Sequence, residues 1–128
     1  TMKKLLFALL LVLPALIATA QTKAIWPEKD AFHDIMSQTF HPAEEGKLDA
    51  IKQRIGEMVT KAKAWQKSTP PAELNMPEIK TALGNLVKGT KGLQKNIKKG
   101  ASDAEITKEL TSLHDVYHKL VGLCDDKH

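Results

Sequence analysis

Two histidines stand four residues apart in "LTSLHDVYHKLVGLC", Leu110 to Cys124. Tyr117, the only tyrosine, lies between His114 and His118, and Cys124, the only cysteine, follows. In a helix, positions i and i+4 share a face, so two imidazoles so spaced can bind one ion, or one of them can hold a haem iron. A second chemistry-bearing stretch is "FHDIM", Phe32 to Met36, which carries His33 and Met36. Imidazole, thioether and thiolate are ligands for copper, zinc and iron. At about 100° per residue, His33 and Met36 lie on one flank of their apolar stripe, and His114 and His118 lie on the same rotational flank of theirs. Like flanks of neighbouring antiparallel helices face each other, so the four side chains are expected to converge across one seam. A plainer reading stands beside this one: a histidine at the edge of a stripe is often a half-buried polar group with its head in water.

Other residues add weaker signals. His41 lies in "TFHPAEEG", where it either forms a second site with Glu44 or Glu45 or is a solvated corner. Asp34 and Asp115 each follow a histidine and can orient an imidazole from behind. Cys124 falls on the apolar seam of its segment. There it can be a small buried hydrophobe, a soft ligand completing a metal set with His33, Met36, His114 and His118, or the link of a disulfide dimer. Lys88, Lys91, Lys95 and Lys98 form a stripe, either a solvated face or a docking site for an acidic or redox protein partner. Trp26 and Trp65 can cover a flat ligand, although aromatics in such places usually belong to a core. Ser112 points away from His114 and makes no nucleophilic triad. The carboxylates do not form the inward Glu-x-x-His pair of di-iron bundles. No catalytic group is expected.

These residues need elements to position them, and the periodicity specifies four helices and no strand. Pro27 opens the first, with Phe32, Ile35, Met36, Thr39 and Phe40 on one face. The residue before a proline disfavours helical angles, so this helix is predicted to stop at His41-Pro42. Pro42 then opens the second helix, with Glu44 and Glu45 in its first turn and a seam of Leu48, Ile51, Ile55, Met58, Ala62 and Trp65. "KSTPPAELNMP" is the longest loop. Pro77 begins the third helix, whose seam is Ile79, Leu83, Leu86, Thr90, Leu93 and Ile97; Gly84, Gly89 and Gly92 each weaken it by up to about 1 kcal/mol relative to alanine. Gly100 ends it. Ser102 to Glu105 is a capping box for the fourth helix, with Ile106, Leu110, Leu113, Tyr117, Leu120 and Cys124 inward. Short connections and three-four seams predict an all-α, antiparallel, up-down-up-down four-helix bundle.

Ahead of the helices, Lys3 and Lys4 precede an apolar run from Leu5 to about Ala18, and Ala18-Thr19-Ala20 is a small-x-small site. This is the layout of a cleaved secretory signal peptide over residues 1–20, which predicts a periplasmic or secreted domain over 21–128. The run is short for a membrane span and carries Pro14, and no cysteine follows the cleavage site to take a lipid. With Lys3 and Lys4 removed, the 19 basic residues fall to 17 against 15 acidic ones. That surplus is too small to indicate nucleic acid. With a lone cysteine, stability must come from core burial, helped by any bound metal or cofactor.

Two stretches resemble the cytochrome b562 family of periplasmic four-helix bundles. "KAKAWQKSTPPAEL", Lys61 to Leu74, is similar to that family's end of helix two, and "DVYHKL", Asp115 to Leu120, to its fourth helix. The resemblance implies a non-covalent b-type haem for electron transfer, with His118 as one axial ligand and Met36 (or His33) as the other. The absence of a Cys-x-x-Cys-His motif argues against covalent haem. The additional histidines at 33, 41 and 114 point instead toward copper or zinc. A further alternative is a ligand-free interaction or stress protein.

Overall fold

In a computed structural model, residues 24–125 are described; the expected signal peptide lies outside them. The elements are α1 (Pro27–Glu44), α2 (Asp49–Lys67), a one-turn 3₁₀ helix at Ala72–Leu74, α3 (Pro77–Lys98) and α4 (Asp103–Asp125). Consecutive helices pack against each other, and the chain forms an all-α four-helix bundle. Cross-helix contacts give each neighbour an antiparallel register. Arg54 Nη1 donates to Gln38 Oε1 between α1 and α2, Gln94 lies against Gly56 between α2 and α3, and Asn96 Nδ2 donates to Glu109 Oε1 between α3 and α4. Phe40 stacks on His114 between α1 and α4.

The helix starts follow local chemistry. Pro27 and Pro77 occupy first-turn positions, where a missing N–H costs nothing. Ser102 Oγ accepts the amide of Glu105 at 3.2 Å, the expected cap of α4. The predicted break at His41-Pro42 is wrong. α1 continues through Pro42 to Glu44, and α2 begins only at Asp49. Pro42 leaves the carbonyl of Gln38 without its helical donor, but only in the last turn, where little of the ladder remains to be disrupted. One more turn buries Ala43 and leads to buried Leu48, so packing overrides the local preference. Gly46 then closes the helix at φ +82°, with its amide on Ala43 O and the Lys47 amide on Pro42 O. That is the paired C-terminal bonding of a Schellman turn, repeated at Gly100 with Ala101 on Asn96 O. Glu44 and Glu45 therefore stand at the end of α1 and not, as predicted, in the first turn of α2.

The core is what the seams predicted. Every seam residue of α2 and α4 is buried, and on α3 only Ile97 is half-buried. Toward the end where α1 begins and α2 and α4 finish, the core holds an aromatic layer in which the Trp65 ring centroid lies 5.7 Å from that of Phe32, 5.8 Å from Trp26 and 6.3 Å from Tyr117. Trp26 Nε1 donates to Ser68 Oγ at 2.7 Å, pinning the start of α1 to the end of α2. The buried hydroxyls of Thr39 and Thr90 donate to Ile35 O and Val87 O, so neither is left unpaired inside the core. Leu74, in the stretch predicted only as loop, is also buried, held by the 3₁₀ turn.

Candidate metal centre

α1 and α4 approach each other at far fewer places than the other three neighbouring pairs. The parted seam holds a cleft of about 380 Å³, bordered by His33, Met36, Phe40, His41, His114 and His118, with Tyr117 among the other walls. The structure thus brings His33, Met36, His114 and His118 to one place, as the matching flanks predicted.

The geometry distinguishes them. Phe40 lies flat on His114, with ring centroids 3.8 Å apart and planes 7° from parallel. His118 meets His114 edge-on at 4.4 Å and 75°. Two imidazoles bound cis to one ion, each with a metal–nitrogen bond of about 2.0–2.1 Å, have ring centroids roughly 4.5–5 Å apart, so the separation of this pair is close to that of two ligands of one ion, and the edge-on rings must turn for a nitrogen of each to face it. Burial is the main cause that lowers the pKa of His114 below its ordinary value; neighbouring His118 adds to it, while Asp115 and Glu44 oppose. His114 is therefore held neutral, the form that ligates. Desolvation first, and then the nearby carboxylates, push the Tyr117 hydroxyl up to about 12, so it faces the cleft as a neutral phenol.

His33 and His41 are exposed on the opposite wall. His33 Nδ1 lies 3.6 Å from Asp34 Oδ1, and His41 Nδ1 lies 3.3 Å from Glu44 Oε1. A carboxylate beside Nδ1 leaves Nε2 as the outward nitrogen, an arrangement usual behind metal-binding imidazoles. As the side chains are placed, no three histidines, cysteines or carboxylates among the described residues stand close enough to hold an ion together.

His41 is the residue that sequence reasoning set apart. With a break at Pro42 it was a corner; with the helix continuous, His33, Ser37 and His41 recur at intervals of four along one stripe. The spacing was legible, but the proline rule hid it. Cys124 is a correction in the other direction. It is buried on the core-facing seam and does not border the cleft. Six residues beyond His118, it lies about 9 Å further along the helix axis. Burial pushes its thiol pKa up, while nearby Lys29 acts in the opposite sense. A disulfide dimer through Cys124 would require the end of α4 to open.

Met36 and His118, the pair implied for an axial haem, both border the cleft, but Met36 is almost fully buried while His118 is exposed. A macrocycle entering between α1 and α4 would have to part the Phe40–His114 stack or the Phe32–Tyr117 contact at 5.5 Å. A single ion needs neither.

The two helices that flank the cleft are acidic. α1 carries Glu28, Asp30, Asp34 and Glu44 against Lys29, and α4 carries Asp103, Glu105, Glu109, Asp115 and Asp125 against Lys108 and Lys119. Each has three negative charges in excess, a field that raises the local concentration of cations. No protein family, curated protein or solved structure matches this chain.

Proposed function

We propose that the chain is an exported protein that binds a copper or zinc ion in the α1–α4 cleft and that it is not an enzyme. The observation that carries this reading is that four imidazoles, two from each helix, border one cleft whose own helices are acidic. His114 and His118 are the anchoring pair. His41 or His33, exposed and free to turn about two side-chain bonds, completes the sphere by rotating inward; eight residues and about 12 Å apart along α1, the two do not serve one ion together. The buried thioether of Met36 lies beneath as a soft ligand that favours copper(I). The test is calorimetric titration of the metal-free protein with copper or zinc, together with elemental analysis of the protein as purified. About one equivalent is expected. His114→Ala and His118→Ala should each weaken binding by more than the roughly 10–100-fold that loss of an outer-shell partner costs. Cys124→Ser should bind like the wild type. Full affinity in the double variant His114→Ala/His118→Ala would overturn the reading.

A second reading is a b-type haem protein for electron transfer, with His118 and Met36 as axial ligands. It is favoured by those two residues bordering the same cleft from facing helices. Added haemin would then produce a Soret band that His118→Ala and Met36→Ala both abolish. No band after reconstitution sinks it.

A further inference from the structure

The charge on the bundle is divided between its two halves. α2 carries Lys52, Arg54, Lys61, Lys63 and Lys67 against Asp49 and Glu57, and α3 carries Lys80, Lys88, Lys91, Lys95 and Lys98 against Glu78. Their excesses are three and four positive charges. Lys52 pairs with Asp103 of α4, Arg54 reaches Gln38 of α1 and Lys61 borders the α1–α2 groove beside Glu28, so the cations turned away from the acidic helices are Lys63 and Lys67 of α2 and the lysines of α3. On α3 the five lysines fall between about 100° and 180° from Ile79 on the helical wheel, and they run for about 27 Å along the axis. All five are exposed, as are Lys63 and Lys67 on α2. None of these seven is in an ion pair with another described residue; the ion pairs present lie elsewhere.

We infer that this α2–α3 face docks electrostatically on an anionic lipid bilayer, with the bundle lying flat and the α1–α4 cleft turned to the aqueous side. Three observations choose a bilayer over an acidic protein. Protein interfaces are built around an apolar, aromatic centre, and this face has none: among the described residues the only exposed large hydrophobic side chain is Ile25, which precedes α1. The seven exposed, unpaired cations are all lysine, point charges suited to a mobile array of headgroups and lacking the planar fork of arginine that reads a fixed carboxylate. Their spread along a whole helix matches a laterally uniform surface better than a local patch. Among the described residues this face carries no apolar wedge, so the attachment it makes is peripheral and reversible.

The test is co-sedimentation of the full chain with vesicles, comparing pure phosphatidylcholine with a mixture holding about 30% phosphatidylglycerol at roughly 0.05 M and 0.5 M salt. Binding is expected on the anionic vesicles at low salt, with a loss of tenfold or more at high salt. Lys88→Glu/Lys91→Glu/Lys95→Glu should lower affinity by about a hundredfold. These side chains are exposed and glutamate suits a helix, so circular dichroism should be unchanged. Lys108→Glu/Lys119→Glu on α4 should bind like the wild type. Because every protein compared keeps the same N terminus, the apolar segment at residues 5–18 cancels from the difference. Absence of binding to anionic vesicles at low salt, or undiminished binding by the α3 variant, overturns the inference. Capture by soluble polyglutamate without capture by vesicles also overturns it, in favour of an acidic protein. Metal binding plays no part in the measurement, so this inference stands or falls independently of the proposed function.

Discussion

At the scale of single residues, the cleft owes its character to where each imidazole sits between core and water. His114 is partly buried under Phe40, and that burial, more than any charge, holds it neutral. The same fact fixes a pH dependence. An unfolded histidine takes up its proton near 6.5, while folded His114 takes it up at lower pH. Between the two values the unfolded chain binds more protons, so the contribution of His114 to stability is present above 6.5 and is lost as the pH falls through the folded value. Metal-free wild type should therefore melt at progressively lower temperature below pH 6.5. His114→Gln should flatten that slope, as thermal melts across pH 7 to 4.5 would record. An unchanged slope in the variant would mean that the burial of His114 is not what couples stability to pH. Cys124 and Tyr117 show why residue type alone misleads. Both sat in the stretch that looked like a ligand set, yet one is turned into the core and the other is kept protonated by its surroundings.

At the scale of helices, sequence periodicity was a good guide to faces and a poorer one to ends. Seams repeat over five or six positions, so one ambiguous residue cannot move them. An end depends on a single local choice. Ser102, Pro27 and Pro77 made that choice unaided; Pro42 did not, because the burial of Ala43 and Leu48 lies outside the reach of a local rule. The glycines of α3 divide in the same way. The sequence marks Gly89 and Gly92 alike as weak points, but a Cβ on Gly89 would lie 2.7 Å from Leu113 Cδ1, and one on Gly92 would meet nothing within 4 Å. Gly92→Ala should therefore stabilise the protein by about 0.5–1 kcal/mol through helix propensity alone. Gly89→Ala should lose that gain to overpacking against buried Leu113 and come out destabilising by about 1 kcal/mol. Urea unfolding midpoints for the two variants decide the matter. If both shift upward equally, the close approach of α3 to α4 does not constrain position 89.

At the scale of the whole bundle, three helix–helix seams are closely packed and the fourth, α1 with α4, is parted and carries the Phe40–His114 stack. That difference was not legible in the sequence, because it comes from Phe40, His114 and Tyr117 meeting across elements distant in the chain. What the sequence did contain was the rotational side of each histidine, and this was enough to pair the helices. The α1–α4 seam has the fewest close contacts, so it is the part of the fold with least to lose on opening. An ion bridging it from both walls would bind the native state and not the unfolded chain. At a free concentration about a hundred times Kd, such binding adds about 2.7 kcal/mol to stability. For a domain of this size, roughly 4–8 °C per kcal/mol translates that into a rise of about 10–20 °C in Tm. Amide hydrogen exchange locates the effect. Without metal, amides of α1 around Met36 to His41 and of α4 around His114 to His118 should exchange faster than those of the α2–α3 seam. With metal they should slow selectively, while the α2–α3 amides change only as far as global stability requires. If an ion binds stoichiometrically but slows α4 alone, His114 and His118 hold it without help from α1, and the bridging role of His41 or His33 is lost.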